Sequence, residues 1–264
     1  MNGTMTIPMT GCGAKEGKAM NNKQVVVITD ARSAAAEAIA RRMERDQMIA
    51  VRNYPDGIPE EKKDTKHCFS FDTCSEAEMK KLLGLILEQI GDVNYLIHTD
   101  NIIFRSSIEE ISEEDFKKYL DRNAKSAFFT TKVFGEHMAK SGKGAILYLS
   151  SLHDEKPTGC AFTYSAAKGA VKMLCKEAAL FYGRKGIRVN LIEMDCTEDQ
   201  ADQLDSLLIP FHYDSETKIP LRRRAKPEDC AGAAAFLLSS DAAFINGAEI
   251  RIDGGHLLYY YDRL

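Results

Sequence analysis

Tyr164 and Lys168 stand four residues apart, and Ser151 lies thirteen residues before Tyr164. On a helix, residues at this spacing share one face, so the ammonium sits beside the phenol and favours its ionised form. A tyrosine acid or base that works near neutral pH requires that help. Tyr and Lys at this spacing also occur on many solvated helices. The surrounding elements therefore decide what the pair means.

Gly144-Ala-Ile-Leu-Tyr-Leu-Ser-Ser151 is an apolar run ending in hydroxyls, which predicts a buried strand, and Phe162 to Tyr182 predicts the helix after it. The same alternation runs along the chain. Strands are expected over Gln24 to Thr29, Met48 to Asn53, His67 to Phe71, Val93 to His98, Gly186 to Glu193 and Gly247 to Ile252. Helices are expected over Ser33 to Arg45 with Ser33 as N-cap, over Ser75 to Ile90, and from Ser112 through Met138, where Ser112-Glu-Glu-Asp115 resembles a capping box. This order predicts an α/β fold, a doubly wound parallel sheet of Rossmann type in three α/β/α layers. Ligands of such sheets bind beyond the carboxyl ends of the strands, where Ser151 falls.

A chain of 264 residues with 44% hydrophobic residues can bury one substantial core, and no linker divides it. We expect one domain over 23–264 behind a loose extension, 1–22, that lacks the apolar core of a signal peptide. The net charge of −4 and the scattered basic residues speak against nucleic acid as a partner. No apolar run approaches the ~20 residues needed to span a bilayer, so no membrane partner is expected. Seven cysteines without a C-x-x-C pair fit reduced thiols in the cytoplasm, and six dispersed histidines show no metal-ligand spacing.

Strand-end Ser151 followed by Tyr164-Ser-Ala-Ala-Lys168 resembles the short-chain dehydrogenase/reductase family. So do the later blocks Ile219-Pro-Leu-Arg-Arg-Arg-Ala-Lys-Pro-Glu-Asp229, Ala234 to Asp241, Ile245-Asn-Gly247 and Ile252-Asp-Gly-Gly255. The likeness covers roughly residues 23 to 255. It implies that Tyr164 is the acid for carbonyl reduction and the base for alcohol oxidation. Lys168 would lower its pKa and hold the nicotinamide ribose, Ser151 would bond the substrate oxygen, and Asn123 would support a proton relay. Ser150 is the other strand-end hydroxyl, but the spacing to Tyr164 selects Ser151. His153, expected to be an exposed loop residue, stays outside this set.

The cofactor segment departs from the family. Where T-G-x-x-x-G-x-G is expected, the chain has Thr29-Asp-Ala-Arg-Ser-Ala-Ala-Ala36, with Asp30, Ala34 and Ala36 at the three glycine positions. A carboxylate ~4 Å from a phosphate costs about 1 kcal/mol in water and about 4 at an effective dielectric near 20. Arg32 is placed either to neutralise Asp30 or to contact a 2′-phosphate. The family's N-N-A-G is His98-Thr-Asp-Asn101, and its P-G is Met194-Asp195. Thr29, Arg32, Ser33, Asn53, Asp72, Thr73 and Lys168 remain as cofactor contacts, Asp72 doubling as a cap for the next helix. Arg52-Asn-Tyr54 lacks the acid expected for a 2′-hydroxyl, so NADP is favoured over NAD.

Hydride transfer between NADP or NAD and a small carbonyl or alcohol is therefore the leading expectation. The alternatives are elimination chemistry without a nucleotide, as in the similar halohydrin dehalogenases, which carry Arg where this chain has Lys168, or a non-catalytic subunit. A variable lid over the pocket is expected from Thr197 to Lys218. A homo-oligomer, dimer or tetramer, is expected, with Tyr259-Tyr-Tyr261 as a candidate contact.

Overall fold

The computed structural model describes residues 23–104, 107–200 and 218–258. The N-terminal extension, most of the expected lid and Tyr259 to Tyr261 lie outside them. Seven parallel strands form one sheet in the order β3-β2-β1-β4-β5-β6-β7. They are β1 Val25–Ile28, β2 Ile49–Asn53, β3 Cys68–Phe69, β4 Val93–His98, β5 Gly144–Ser151, β6 Ile187–Met194 and β7 Glu249–Ile252. The order reverses between β1 and β4, and a crevice opens there beyond the strand ends.

Side chains alternate across the pleat, so each strand feeds two cores. Val25 and Val27 join Ile146, Tyr148, Val189 and Leu191 on one face. There they meet α2 (Glu76–Gln89), α4 (Ser126–Ser141) and α5 (Phe162–Gly183). Val26 and Ile28 join Ala145, Leu147 and Ile192 on the other, under α1 (Ala34–Arg45) and α6 (Asp229–Leu238). Burial on both faces explains why these strands are runs of apolar residues rather than alternating patterns.

Ser33 caps α1 by accepting from the Ala36 amide, as expected. Ser112 caps α3 (Glu113–Leu120) in the same way through Asp115. The helix expected from Ser112 through Met138 is instead α3 and α4 joined by a π-helical turn, Asp121–Lys125. Backbone geometry of this kind is invisible to apolar periodicity, which passes straight through one widened turn.

α5 carries a buried stripe of Tyr164, Ala167, Lys168, Val171, Cys175, Ala178, Ala179 and Tyr182. Gly135 on α4 lets the Tyr182 ring approach, since a Cβ there would lie 2.5 Å from the ring. The stripe fixes the rotation of α5 and so aims Tyr164 and Lys168 at the crevice.

Asn53, expected as a cofactor contact, is fully buried and committed to backbone. Its Nδ2 donates to Thr29 O and Phe71 O, both at 2.9 Å, and its Oδ1 accepts from Phe71 N at 3.0 Å. It ties the end of β1 to the loop after β3. Asn53→Ala is expected to lower unfolding free energy by about 2–4 kcal/mol, because it removes three hydrogen bonds to backbone groups, one of them fully buried. Urea unfolding measures this, and an unchanged midpoint would refute the pinning role.

Candidate active site

The end of β5 presents Ser151, and the first turns of α5 present Tyr164 and Lys168 beside it. Tyr164 Oη is within hydrogen-bonding reach of Ser151 and donates to Asn101 Oδ1 at 2.9 Å. Lys168 Nζ stands 5.5 Å from the centre of the Tyr164 ring. Of the three residues singled out by spacing, Ser151 and Tyr164 line one cavity, and Lys168 is buried beside the Tyr164 ring.

Their electrostatics differ from the expectation. Burial raises the Tyr164 pKa to about 12 and outweighs its hydrogen bonds with Ser151 and Asn101. Burial also depresses Lys168 to about 8, with Asp100 and Asp154 pulling it back up. Desolvation outweighs the cation here, because Lys168 is itself removed from water. The phenol is thus held protonated in the free protein.

Asn123 lies in the π-helical turn, and its side chain is spent on backbone. Oδ1 accepts from Ile102 N at 2.8 Å, while Nδ2 donates to Ile102 O and Tyr119 O at 2.9 Å. It clamps the loop after β4, which carries Asn101. Two residues outside the sequence-derived set belong to the site. Asn101 replaces a family glycine, and its amide holds the Tyr164 proton. His153 is packed, not exposed: its Nδ1 is 3.0 Å from Ser151 Oγ, and its ring stands edge-on to Tyr164. Burial holds its pKa at about 4, so the imidazole is neutral at pH 7. Its signal in the sequence was its place two residues after Ser151.

The cofactor contacts divide. Thr29 and Thr73 both donate to Asp100, a carboxylate with 1% exposure. Asp72 accepts from the Cys74 amide in a tight turn, and Ser75, not Asp72, caps α2. Asp30 does not stand as a free charge. Its carboxylate accepts from Arg32 N at 3.1 Å and Arg32 Nε at 2.8 Å, and also pairs with Nη2. Arg32 and Arg122 then share Asp56. Of the two roles expected for Arg32, the structure shows neutralisation.

Lys168 provides the test of whether a dinucleotide fits. It is 1% exposed, and its hydrogen bond among the described residues is one of 3.4 Å to Asp100 O. An ammonium has three donors. Hydroxyls of a ribose would complete its shell, so the residues fit the group at this end. At the phosphate end, Ser33 at the α1 N-terminus lines the crevice, and Asp30 has its own counter-ion in Arg32. Elsewhere Glu155, Glu193 and Glu249 converge. Lys172 Nζ lies among them at 2.7, 2.6 and 3.0 Å, where a metal cation would sit.

Comparison with known proteins agrees with this geometry. Residues 26–256 match the family model described as enoyl-(acyl carrier protein) reductase. Glucose 1-dehydrogenase 2 of Bacillus subtilis (strain 168) is 30% identical over 247 residues, 89% of this chain and 95% of the relative. Meso-2,3-butanediol dehydrogenase of Serratia marcescens is 29% identical over 248 residues, 89% of this chain and 94% of the relative. The gluconate 5-dehydrogenase from Burkholderia cenocepacia J2315 in complex with NADP and tartrate shares the fold, with a TM-score of 0.80 at 23% identity over 90% of this chain and 96% of the other. The chain belongs to the short-chain dehydrogenase/reductase family. It is an NAD(P)-dependent oxidoreductase of that family.

The depressed Lys168 pKa predicts a stability signature. Between about pH 8 and 10.5 the unfolded chain holds a proton on this lysine that the folded chain has lost. Stability therefore rises with pH across that window. Relative to Lys168→Met, the wild type should gain up to about 3 kcal/mol between those limits. Chemical unfolding of both proteins at pH 7.5 and 10.5 measures the difference, and a constant offset would contradict the assignment.

Proposed function

We propose that this protein interconverts a small alcohol and its carbonyl compound, with Tyr164 as the proton donor to the carbonyl oxygen and Ser151 as its hydrogen-bond partner. The observation that carries this reading is that Tyr164 and Ser151 line one cavity, with a buried, under-bonded Lys168 beside the Tyr164 ring. The bound nicotinamide nucleotide supplies or accepts the hydride. Lys168 would hold its ribose, and Ser33 at the α1 N-terminus would meet its phosphates. NADP is the preferred form, since Arg52-Asn-Tyr54 lacks the acid that would meet a 2′-hydroxyl.

The chain's own residues set the proton chemistry. In the free protein the Tyr164 proton points at Asn101 Oδ1. A substrate oxygen that takes the place of this amide receives the same hydrogen bond and then the proton. Because the phenol is held protonated, reduction runs at neutral pH, and oxidation gains as pH rises. Asn123 acts through the loop it clamps.

A homo-oligomer accompanies this reading. Met173, Leu180 and Phe181 on α5 are 57%, 71% and 57% exposed, and Phe128 on α4 is 50% exposed. Apolar side chains at this density on neighbouring helices favour burial against a second copy. A cytoplasmic site is consistent with described cysteines that are all free thiols. No described helix is long and apolar enough to cross a membrane.

Two measurements test the reading. Tyr164→Phe should lower kcat by at least ~100-fold while leaving nucleotide affinity and thermal stability near wild type. Retained turnover would rule Tyr164 out as the proton donor. Leu180→Asp should shift the mass found by light scattering toward the monomer, and an unchanged mass would exclude this face of α5 as the contact.

A further inference from the structure

The cavity beside Tyr164 holds more hydrogen-bonding capacity than one reacting oxygen needs. His153 comes from the short 3-10 turn Leu152–Asp154 that follows β5, and it lines this cavity with Ser151 and Tyr164. Its Nδ1 is engaged with Ser151 Oγ at 3.0 Å. Its Nε2 is shielded from water and has no hydrogen-bond partner among the described residues. Thr197 Oγ1, in the same lining, is in the same condition. Buried polar atoms are normally paired, and two unpaired ones in one cavity mark where a ligand's polar groups belong.

The tautomer of His153 follows from what Ser151 must do. A neutral imidazole has one N–H and one lone pair. If the Ser151 proton went to Nδ1, it would be lost to the substrate oxygen. The working arrangement therefore has Nδ1–H donating to Ser151 Oγ, which frees the serine proton for the reacting oxygen. Nε2 then carries the lone pair and is an acceptor. The edge-on packing against Tyr164, with centroids 5.1 Å apart, keeps the ring from turning away.

We propose that His153 Nε2 accepts a hydrogen bond from a hydroxyl on the carbon next to the reacting carbon, so that the site selects α-hydroxy carbonyl compounds and the matching vicinal diols. The two nitrogens of one ring serve neighbouring positions: Nδ1 holds the serine that meets the reacting oxygen, and Nε2 meets the adjacent hydroxyl. A plain ketone or monohydric alcohol leaves Nε2 buried and unpaired, which is the strong form of discrimination. The assignment rests on the oxidoreductase reading above and adds the substrate class to it.

The probes are 1,2-propanediol and 2-propanol, which present the same secondary carbinol with and without a neighbouring hydroxyl. Oxidation is followed with NADP and with NAD. The wild type should favour the diol in kcat/KM by at least ~10-fold. His153→Asn retains a short amide donor toward Ser151 and removes the Nε2 acceptor. In that variant the diol should lose more than 2-propanol, mainly through KM, and the ratio of the two kcat/KM values should fall toward one. An unchanged ratio, or an equal loss with both alcohols, overturns the proposal and leaves the oxidoreductase reading standing. Turnover of neither alcohol, nor of the matching hydroxyacetone and acetone in reduction, by wild type with either nucleotide overturns that reading and this proposal together.

Discussion

Asp100 is a carboxylate almost without access to water, set where β1, β4 and the loop after β3 converge. An isolated charge in such a place is strongly unfavourable, and burial accordingly raises its pKa. Hydroxyl donors from Thr29 and Thr73 offset that cost. Thr29 Oγ1 also accepts from Thr99 N, and Thr99 Oγ1 bridges the Asp30 backbone. The three strand ends are thus tied through one carboxylate. Its backbone carbonyl accepts from Lys168, so the knot reaches the lysine beside Tyr164 as well.

This knot explains how the crevice keeps its shape without the family's glycines. Glycines let backbone amides approach a phosphate, and here side-chain hydroxyls and one buried acid hold the same loops instead. The charge that Asp30 adds is taken up by Arg32, and the charges alternate outward through Asp56 to Arg122. A phosphate entering this end meets arginines already engaged with carboxylates. Binding there would be an exchange of ion-pair partners rather than the filling of an empty cradle, which costs affinity.

The two halves of the site are prepared differently. Around Tyr164 the groups are dry and close, with Ser151, Asn101 and His153 fixed by packing and by the clamp of Asn123 on Ile102. Pre-set donors in a water-poor cavity are worth more than the same donors in solvent. Lys168 links the halves, since its carbonyl partner belongs to the knot while its ammonium lies near the phenol. Loss of either half would therefore be felt in the other.

The sequence by itself determined the order of the seven strands, the helices α1, α2 and α5, both N-caps, and the neighbourhood of Ser151, Tyr164 and Lys168, but not α6. Those features depend on local periodicity and on spacing within one strand-to-helix step, which residue types report directly. It also exposed the missing glycines. Only the tertiary structure decided what replaced them, because the partners of Asp100 and Asp30 come from segments tens of residues apart. The π-helical turn at Asn123 was hidden, since one widened turn leaves the apolar pattern nearly unchanged. The ionisation of Tyr164 and Lys168 was hidden for another reason: spacing predicts which groups are neighbours, whereas desolvation depends on everything packed around them, and here it outweighs the neighbouring charge.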